Sequence, residues 1–324
     1  MQQTRWAMVG TGLMLDLIGR DFALTENVDM RVIVSRTQER ADAAAAEFGF
    51  PEGSADFDAV LERDDIDVVY IATPHTLHFP QAMAALKAGK HVLVEKSMTT
   101  SAALTRELCA FASAQGLFAM EAMWTAFNPA IIEARRRVQA GELGDVRLVH
   151  ANFCTAPPYD AAWRLWAKDL AGGSTLDQGV YTLSFAHMLL GTPASIDAHG
   201  TVMYGVDAEV AATLEYTSGA RAVCISSLRA YSPLTAFIAG TEGSIAVPGS
   251  FWTPSGFTHT RYSGLGATGA EEFTYEREGA GYVPMLRAVS RAVLDGETEH
   301  PLRTHAETIA VAETMDAVLT QVMA

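Results

Sequence analysis

The sequence predicts an α/β protein of two domains: an N-terminal domain built on a parallel sheet, and a C-terminal α/β domain with an open, mostly antiparallel sheet. The chain has 324 residues, and about 100–200 residues per domain implies two domains. Up to residue 124, short apolar runs alternate with helical segments, which is typical of strands buried on both faces and joined by right-handed crossovers. Later runs are longer and alternate apolar with polar residues, which indicates antiparallel strands. We therefore expect domains at 1–124 and 125–324, with a last helix that can pack back on the first domain.

The first domain alternates strands with helices along the chain. The predicted strands lie at 6–10, 30–35, 68–72, 91–95 and 118–122. The predicted helices lie at 14–24, 39–48, 79–88 and 101–115. Because helices connect successive strands, the sheet is expected to be parallel, and a ligand is expected at the carboxyl ends of its strands.

The second domain begins after Asn128-Pro129 with a predicted helix at 130–140. The predicted strands lie at 146–153, 195–203, 208–216, 220–227 and 234–240, and a helix near 173–190 interrupts them. The segment 249–269 is rich in Gly, Ser and Thr and is expected to be a loop or a ragged hairpin. The final helix, 305–322, has one apolar face formed by Val311, Met315, Val318 and Val322.

The composition limits the classes of function. Hydrophobic residues make up 49% and charged residues 19% of the chain, so a sizeable core is expected. A net charge of −15 disfavours binding to nucleic acid or anionic membranes. The three cysteines, Cys109, Cys154 and Cys224, are far apart, which argues against a disulfide framework or a zinc site. The sequence shows neither a signal peptide nor a long apolar segment, so we expect a cytoplasmic protein. No group of residues has metal-ligand spacing, so no bound metal is expected.

A glycine-rich turn, Gly10-Thr11-Gly12, follows the first predicted strand and opens the first helix. Gly10 permits the tight turn, and Gly12 lets a pyrophosphate approach the N–H groups at the helix N-terminus. An ordinary strand–helix turn is the alternative reading, but the position within a strand–helix–strand series favours a dinucleotide-binding Rossmann domain. The third glycine of the usual motif is replaced by Leu15.

The end of the second strand indicates which dinucleotide binds. A carboxylate there would bind the adenosine ribose of NAD, but the sequence is Ser35-Arg36-Thr37, with Arg40 close behind. Two arginines and two hydroxyl groups suit a 2′-phosphate. The alternative is two solvated arginines at a helix start. We predict NADP, with NAD as the less favoured cofactor.

Two further segments end at the same edge of the predicted sheet. The third strand runs into Ala72-Thr73-Pro74-His75, with His78 one turn later, and the fourth runs into Glu95-Lys96. Lys96 can contact the nicotinamide ribose and donate a proton, or it can be an ordinary surface lysine whose stem covers apolar surface. The residues predicted to hold the cofactor are Gly10, Thr11, Gly12, Leu13, Met14, Ser35, Arg36, Thr37, Arg40, Ala72, Thr73, Pro74, His75, His78, Glu95 and Lys96.

The chain resembles the Gfo/Idh/MocA oxidoreductase family over most of its length. The resemblance is carried by the motifs GTG at 10–12, ATPHTLH at 72–78, AGKHVLVEK at 88–96 and GGSTLDQGVY at 172–181. The segment 116–125 and Tyr181, where many relatives carry His, are similar to the dihydrodiol dehydrogenase-like branch. That branch includes NADP-dependent dehydrogenases of trans-dihydrodiols and of aldoses such as xylose. Two positions depart from the pattern: Ser97 replaces the proline that usually follows the lysine, and Ala126 replaces an arginine.

The resemblance implies that Lys96 is catalytic and favours the same role for Asp177 and Tyr181. These two residues lie four apart on a predicted helix and so share one of its faces. Hydride transfer from an alcohol requires a base for the hydroxyl proton, and a nearby ammonium group favours the phenolate of a tyrosine. We therefore predict a Lys96–Asp177–Tyr181 group beside the nicotinamide. From spacing alone, a helix-terminus aspartate and a core tyrosine are equally good interpretations.

Aromatic and basic residues near these motifs are candidates for substrate binding, namely Trp124, Arg164 and Trp166. Aromatic faces suit sugar C–H surfaces or a cyclic diol, although ordinary packing explains any one of them equally well. Tyr159 and Trp163 belong to the same set, and His187 is interpreted as a structural histidine.

Together these features predict an NADP(H)-dependent dehydrogenase or reductase that acts on a secondary alcohol or carbonyl of a small sugar, polyol or cyclic diol. An open sheet leaves one face to cover, and relatives cover it by dimerisation, so a homodimer or homotetramer is expected. The alternative from another class is a cofactor-binding sensor without turnover, which Leu15, Ser97 and Ala126 favour.

Overall fold

Two sheets organise the protein, whose computed structural model describes residues 2–324. The chain divides into two compact units: the first comprises residues up to Trp124 together with Arg277–Thr308, and the second comprises Thr125–Glu276 and Ile309–Ala324. The α/β fold class predicted from the sequence is confirmed, because one sheet is parallel and the other mostly antiparallel.

The first unit contains a six-stranded parallel sheet, counted over residues 2–324, in the order β3-β2-β1-β4-β5-β6. Its strands β1, β4 and β5 are wholly or almost wholly buried, which explains why their sequences are mostly apolar. The strands are β1 (Thr4–Val9), β2 (Val28–Val34), β3 (Glu52–Ser54), β4 (Val68–Ile71), β5 (His91–Val94) and β6 (Ala119–Glu121).

Two helices of the first unit begin and end at residues with clear capping roles. The Thr37 side chain accepts from the N–H of Arg40 at the start of α2, and the Ser101 side chain accepts from the N–H of Leu104 at the start of α5. Gly49 and Gly116 end these two helices in the left-handed conformation. The helices are α1 (Leu13–Ala23), α2 (Gln38–Phe48), α3 (Phe57–Leu61), α4 (His75–Lys87) and α5 (Ala102–Gln115).

A later segment of the chain joins the first unit through a helix that the sequence analysis did not predict. This helix, Val283–Leu294, buries Val283, Leu286 and Val289 and contacts α1, β1 and β2. The buried Asp21 carboxylate accepts from the N–H groups of Ala280 and Tyr282, which fixes the approach to the helix. The sequence analysis placed all of 125–324 in the second domain, whereas the segment 277–308 clusters with the first unit.

The second unit contains an eight-stranded sheet, again counted over the described chain, in the order β14-β13-β12-β11-β7-β10-β9-β8. All neighbouring pairs are antiparallel except β7 and β10, which are parallel. The strands are β7 (Val146–Cys154), β8 (Ser195–Met203), β9 (Val206–Glu215), β10 (Arg221–Ser227), β11 (Ala236–Gly240), β12 (Gly243–Val247), β13 (Gly256–Ser263) and β14 (Gly266–Thr274).

Helices cover one face of this sheet. They are α6 (Pro129–Gln139), α7 (Val180–Leu190) and α9 (His305–Val322). The helix Val283–Leu294 of the first unit, described above, is α8. A short π-helix, Thr175–Gly179, leads into α7. Val318 of α9 packs against Ala198, Val210 and Ala212 of the sheet, so most of the final helix lies on the second unit rather than on the first. The segment predicted as a loop or ragged hairpin contains most of the β13–β14 hairpin, which extends to residue 274.

Candidate active site

The glycine-rich turn lies at the carboxyl end of β1, where Gly10 has a φ of +119°. Its N–H donates to the carbonyl oxygen of Val34 at 2.9 Å, which ties the turn to β2. A side chain at this position would collide with the carbonyl oxygen of Ala72 at the end of β4. Both the conformation and the space therefore require glycine at position 10.

Gly12 opens helix α1 without any side chain that caps it. The first N–H groups of a helix have no partner within the helix, and the helix dipole makes this end attractive to anions. A Cβ atom at Gly12 would meet no heavy atom within 4 Å, so the space beside the turn is open. The turn therefore fits the pyrophosphate of a dinucleotide.

The predicted 2′-phosphate residues cluster beside this turn. The hydroxyl groups of Thr11 and Ser35 lie 2.7 Å apart, and the Arg40 guanidinium donates to the carbonyl oxygen of Thr11 at 3.3 Å. Arg36, Thr37 and Arg40 are exposed. The structure thus brings the accessible Arg40 and two hydroxyl groups to one end of the glycine turn, with the exposed Arg36 next to Ser35 in the sequence and no carboxylate at residues 35–37.

Lys96 follows β5 and is half-buried. The Glu95 carboxylate accepts from the Tyr70 hydroxyl and, at 3.2 Å, from the N–H of Lys96. The carbonyl oxygen of Lys96 lies 3.3 Å from Nε2 of His75, and the peptide bond between Lys96 and Ser97 is cis. The backbone on both sides of the Lys96 side chain is thereby held by buried or nearly buried polar groups.

His78 is buried, with both ring nitrogens directed at backbone carbonyl oxygens. Nδ1 lies 2.9 Å from the carbonyl oxygen of Ser97, and Nε2 lies 2.8 Å from that of Thr73. Burial lowers the pKa of His78, so the neutral ring donates only one of these two hydrogen bonds. The ring links the loop after β4 to the loop after β5, whereas the sequence analysis assigned His78 to the cofactor.

A buried ion pair next to this loop was not recognised from the sequence. Glu121, the last residue of β6, accepts from the N–H of Met98 at 2.8 Å, and its other oxygen accepts from the guanidinium of Arg303. Both side chains are essentially inaccessible to solvent. The available signal was Glu121 itself, a carboxylate within the apolar run 118–123.

In the second unit, Asp177 lies in the π-helix that precedes α7. Its carboxylate accepts from the Arg164 guanidinium at 2.8 Å, so two predicted site residues are directly paired. The side chains of Asp177 and Arg164 are 12% and 37% exposed, which leaves the guanidinium partly accessible to a ligand.

A second buried aspartate, which the sequence analysis missed, holds the start of this helical segment. Asp207 on β9 accepts from the hydroxyl group of Ser174 and from both the N–H and the hydroxyl group of Thr175, at 3.1, 2.7 and 2.7 Å. Gly173, at a φ of +126°, leaves room for the Asp207 carboxylate, which a side chain at 173 would displace. Asp207 therefore fixes the backbone two residues before Asp177.

Tyr181 lies in the first turn of α7 and is 7% exposed. Its ring packs beside two aromatic side chains, Phe153 and Trp252, which are stacked on each other at 3.9 Å between ring centroids. Neither was predicted, because their proximity depends on how β7 meets the segment before β13. These two rings form an aromatic wall beside the candidate phenol.

Of the remaining predicted aromatic residues, Trp124 and Trp166 are buried, whereas Tyr159 and Trp163 are exposed. Trp166 is buried, and its ring N–H donates to the carbonyl oxygen of Pro158. Tyr159 and Tyr204, both about half exposed, stack on each other at 3.7 Å and meet Trp166 edge-on. In the first unit, Trp124 is 8% exposed and stacks on Tyr282 at 4.0 Å.

Other candidates identified in the sequence have structural partners. Nε2 of His187 lies 2.9 Å from the hydroxyl group of Thr314 on α9. Burial raises the pKa of the Cys109 and Cys224 thiols to about 12, so neither is a nucleophile at neutral pH. Over residues 2–324, the structure has neither a cluster of three metal-binding side chains nor a helix that combines the length and apolarity needed to span a membrane.

Family models match both units. Residues 4–123 match the oxidoreductase family with an NAD-binding Rossmann fold, and residues 131–246 match the GFO/IDH/MocA C-terminal domain. Among curated proteins, a trans-1,2-dihydrobenzene-1,2-diol dehydrogenase from Sus scrofa is 33% identical over 97% of this chain and 95% of its own length. A D-xylose 1-dehydrogenase (NADP(+)) from Haloferax volcanii is 36% identical over 88% of this chain and 87% of its own.

A solved structure extends the comparison to three dimensions. A 3-ketoreductase from Actinomadura kijaniata in complex with NADP superposes with a TM-score of 0.83, at 26% identity, over 99% of this chain and 98% of that one. By its sequence and its fold, the chain belongs to the Gfo/Idh/MocA oxidoreductase family.

Proposed function

We propose that this protein is an NADP(H)-dependent oxidoreductase that transfers hydride between the nicotinamide and a secondary alcohol or carbonyl of a sugar, polyol or cyclic dihydrodiol. The observation that carries the proposal is in the first unit. An uncapped helix N-terminus with open space beside it, flanked by exposed arginines, shares the carboxyl edge of the sheet with the Glu95-Lys96 strand end.

The choice of NADP rests on the residues after β2. Arg36 and Arg40 are both exposed, Arg40 contacts Thr11 of the glycine turn, and guanidinium groups bind phosphate oxygens with charge-assisted hydrogen bonds. The Haloferax xylose dehydrogenase is named for NADP and the Actinomadura ketoreductase binds it, which supports the same choice here. When bound, the nicotinamide supplies or accepts the hydride.

Lys96 and Tyr181 are proposed to handle the proton that accompanies the hydride. The Lys96 ammonium can donate a hydrogen bond to the carbonyl oxygen of the substrate, or stabilise the alkoxide of the corresponding alcohol. The Tyr181 phenol can exchange a proton with the substrate hydroxyl group. Asp177 is proposed to act through Arg164: the carboxylate orients the guanidinium, and the guanidinium's accessible edge binds a substrate hydroxyl group. Glu95, His75 and His78 are proposed to hold the Lys96 backbone and the neighbouring loop.

The substrate class follows from the aromatic wall of Phe153 and Trp252 beside Tyr181. Flat aromatic surfaces suit the C–H face of a sugar ring or of a cyclic diol. Trp124, stacked on Tyr282, and Trp166 remain candidates for the same role. The relatives named for a dihydrodiol and for D-xylose support a ring-shaped polyol as the substrate, and the neighbour named a 3-ketoreductase supports reaction at a carbonyl group.

A homodimer or homotetramer in the cytoplasm is proposed as the working state. On the sheet of the second unit, one face buries residues such as Val149, Ala151 and Ala222. Adjacent residues in a strand point to opposite faces, and the residues on the other face include partly exposed apolar side chains. They are Leu148, Ala211, Val223, Ile225, Phe237 and Ala246.

Activity measurements on four variants test the catalytic assignment. General acid–base groups typically contribute about 10²- to 10⁴-fold, so Lys96→Met and Tyr181→Phe should each lower kcat by that order while NADPH still binds. The exposed residues Lys87 and Tyr231 offer matched controls, and Lys87→Met and Tyr231→Phe should retain full activity. Full activity in Lys96→Met would overturn the assignment.

A substrate panel separates the enzyme from the sensor alternative. The purified protein would be assayed with aldoses, inositols and trans-dihydrodiols and with the corresponding carbonyl compounds, each with NADP(H) and NAD(H). Turnover of at least one ring polyol or its carbonyl form with NADP(H) is expected. Tight NADPH binding without turnover on any compound would favour the sensor.

A further inference from the structure

The loop that follows Lys96 is held at Met98 by the carboxylate of Glu121, a residue outside the motifs of the proposed site. Hydrogen bonds to Glu95 and His75 hold the backbone of Lys96 itself, and His78 holds Ser97. The next backbone group, the N–H of Met98, donates to Oε1 of Glu121 at 2.8 Å. Glu121 reaches this position because it is the last residue of β6 and pairs with Val94 of β5, which immediately precedes Glu95 and Lys96.

The Glu121 carboxylate is itself held by a single cation from a distant part of the chain. Nε of Arg303 donates to Oε2 of Glu121 at 3.1 Å, and Nη2 donates to the same oxygen. Arg303 is fully buried, its N–H donates to the carbonyl oxygen of His300, and Glu307 lies 3.5 Å from its guanidinium. The two oxygens of Glu121 thus divide their work: Oε2 accepts from Arg303, and Oε1 accepts from the N–H of Met98.

We propose that Glu121 is a positioning residue for Lys96, with Arg303 as its anchor. The carboxylate fixes the backbone two residues after Lys96 and so restricts where the ammonium group points. This inference rests on the proposed function, in which Lys96 contacts the substrate. A misplacement of about 1 Å at a reacting group can lower a rate by about 10²-fold, so the loss of this one hydrogen bond can be seen in kcat.

Glu121→Gln is the informative substitution because it keeps the shape and leaves a single oxygen for two donors. The Arg303 guanidinium, which loses its closest carboxylate partner but keeps Glu307 at 3.5 Å, competes for that oxygen and turns the amide nitrogen toward the N–H of Met98. We expect kcat to fall by roughly 10- to 100-fold. The Kd for NADPH should change little, because the glycine turn and Arg36 are unaffected.

The double variant Glu121→Gln/Arg303→Met removes the competing donor and frees the amide oxygen for Met98. It should restore kcat to within about 3-fold of the original value, and its pH profile should match, because Lys96 itself is unchanged. Asp67→Asn is the matched control. The Asp67 carboxylate also binds an arginine, Arg5, and that residue's backbone N–H, but at the opposite, amino-terminal edge of the sheet. It should lower stability without lowering kcat.

The outcomes separate this inference from the proposed function on which it depends. If Lys96→Met is inactive while Glu121→Gln has the original kcat, the proposed function stands and the positioning role is wrong. If Glu121→Gln is slow and the double variant is equally slow, the ion pair is structural and the inference is overturned. If Glu121→Gln does not fold, the double variant decides, since a folded double variant with a 10-fold lower kcat contradicts the proposal. If Lys96→Met is fully active, both fall.

Discussion

Removing the buried Asp207 carboxylate should destabilise the second unit and slow the reaction. Asp207 is the acceptor for three donors on Ser174 and Thr175, and all of these groups are buried. A buried donor left without an acceptor costs roughly 1–3 kcal/mol. The two hydroxyl groups can rotate, and Ser226 already lies 3.0 Å from the Ser174 hydroxyl, but the N–H of Thr175 cannot. We therefore expect Asp207→Ala to lose about 2–4 kcal/mol in unfolding free energy.

The pH dependence of the stability provides a second test of the same residue. Burial raises the pKa of Asp207 above its ordinary value of 3.8, in spite of the three donors. The folded chain then binds the proton more tightly than the unfolded chain, so the stabilisation is complete below about pH 4 and is lost as the pH rises through the folded-state pKa. Asp207→Asn cannot ionise, and its oxygen can still accept from the N–H of Thr175.

Urea unfolding at a series of pH values measures both effects. The free-energy difference between the original protein and Asp207→Asn should shift in favour of the Asn variant as the pH rises from 4 and then become constant. In parallel, Asp207→Ala should lower kcat, because the helix that carries Asp177 and Tyr181 loses its anchor. An unchanged urea midpoint for Asp207→Ala, or a difference that moves in favour of the original protein with rising pH, would refute the reasoning.

Two further predictions concern the cofactor and the sheet. Replacing both Arg36 and Arg40 with Ala should raise the Kd for NADPH by roughly 10- to 100-fold, because two charged hydrogen bonds are lost, and should change the Kd for NADH by less than about 3-fold. Fluorescence titration measures both constants. An equal rise in the two Kd values would contradict the choice of NADP. A charge on the partly exposed sheet face, as in Ile225→Lys, should convert the proposed dimer into monomers, which light scattering would detect as a lower molar mass. Tyr231→Lys, at a highly exposed position, should leave the molar mass unchanged. A monomeric original protein would contradict the proposed assembly.

The sequence was most informative where local patterns decide the structure. The apolar runs of β1, β4 and β5 predicted a parallel sheet because strands buried on both faces carry no polar alternation. The final helix was predicted with the bounds that the structure has, since its apolar face repeats at helical spacing. Strand β3 was missed because its three residues, Glu52-Gly53-Ser54, pair with β2 alone at the edge of the sheet.

The polar groups that support the site were harder to find. Asp207 lies within an alternating strand and Arg303 lies within a loop. Their partners, Thr175 and Glu121, are 32 and 182 residues away, and the sequence near them gives no indication of these contacts. Phe153 and Trp252 were overlooked for the same reason, since they are 99 positions apart in the numbering and meet only through the fold. Local patterns carry no information about which distant side chains meet.

The parallel pairing of β7 with β10 has a consequence for how such a protein can change its substrate. The two strands are neighbours at the centre of the sheet, yet the chain between them includes the loop at 155–172, the helix of Tyr181 and the β8–β9 hairpin. Asp207 and the sheet hold the helix. The loop before it is packed on the sheet through Leu165 and Trp166, whereas Tyr159 at its exposed part stacks on Tyr204 of the β8–β9 turn. Mutation at the exposed part of the loop around Tyr159 can therefore change the surface offered to a ligand without moving Tyr181, so that new specificities can arise while the proposed catalytic phenol stays in place.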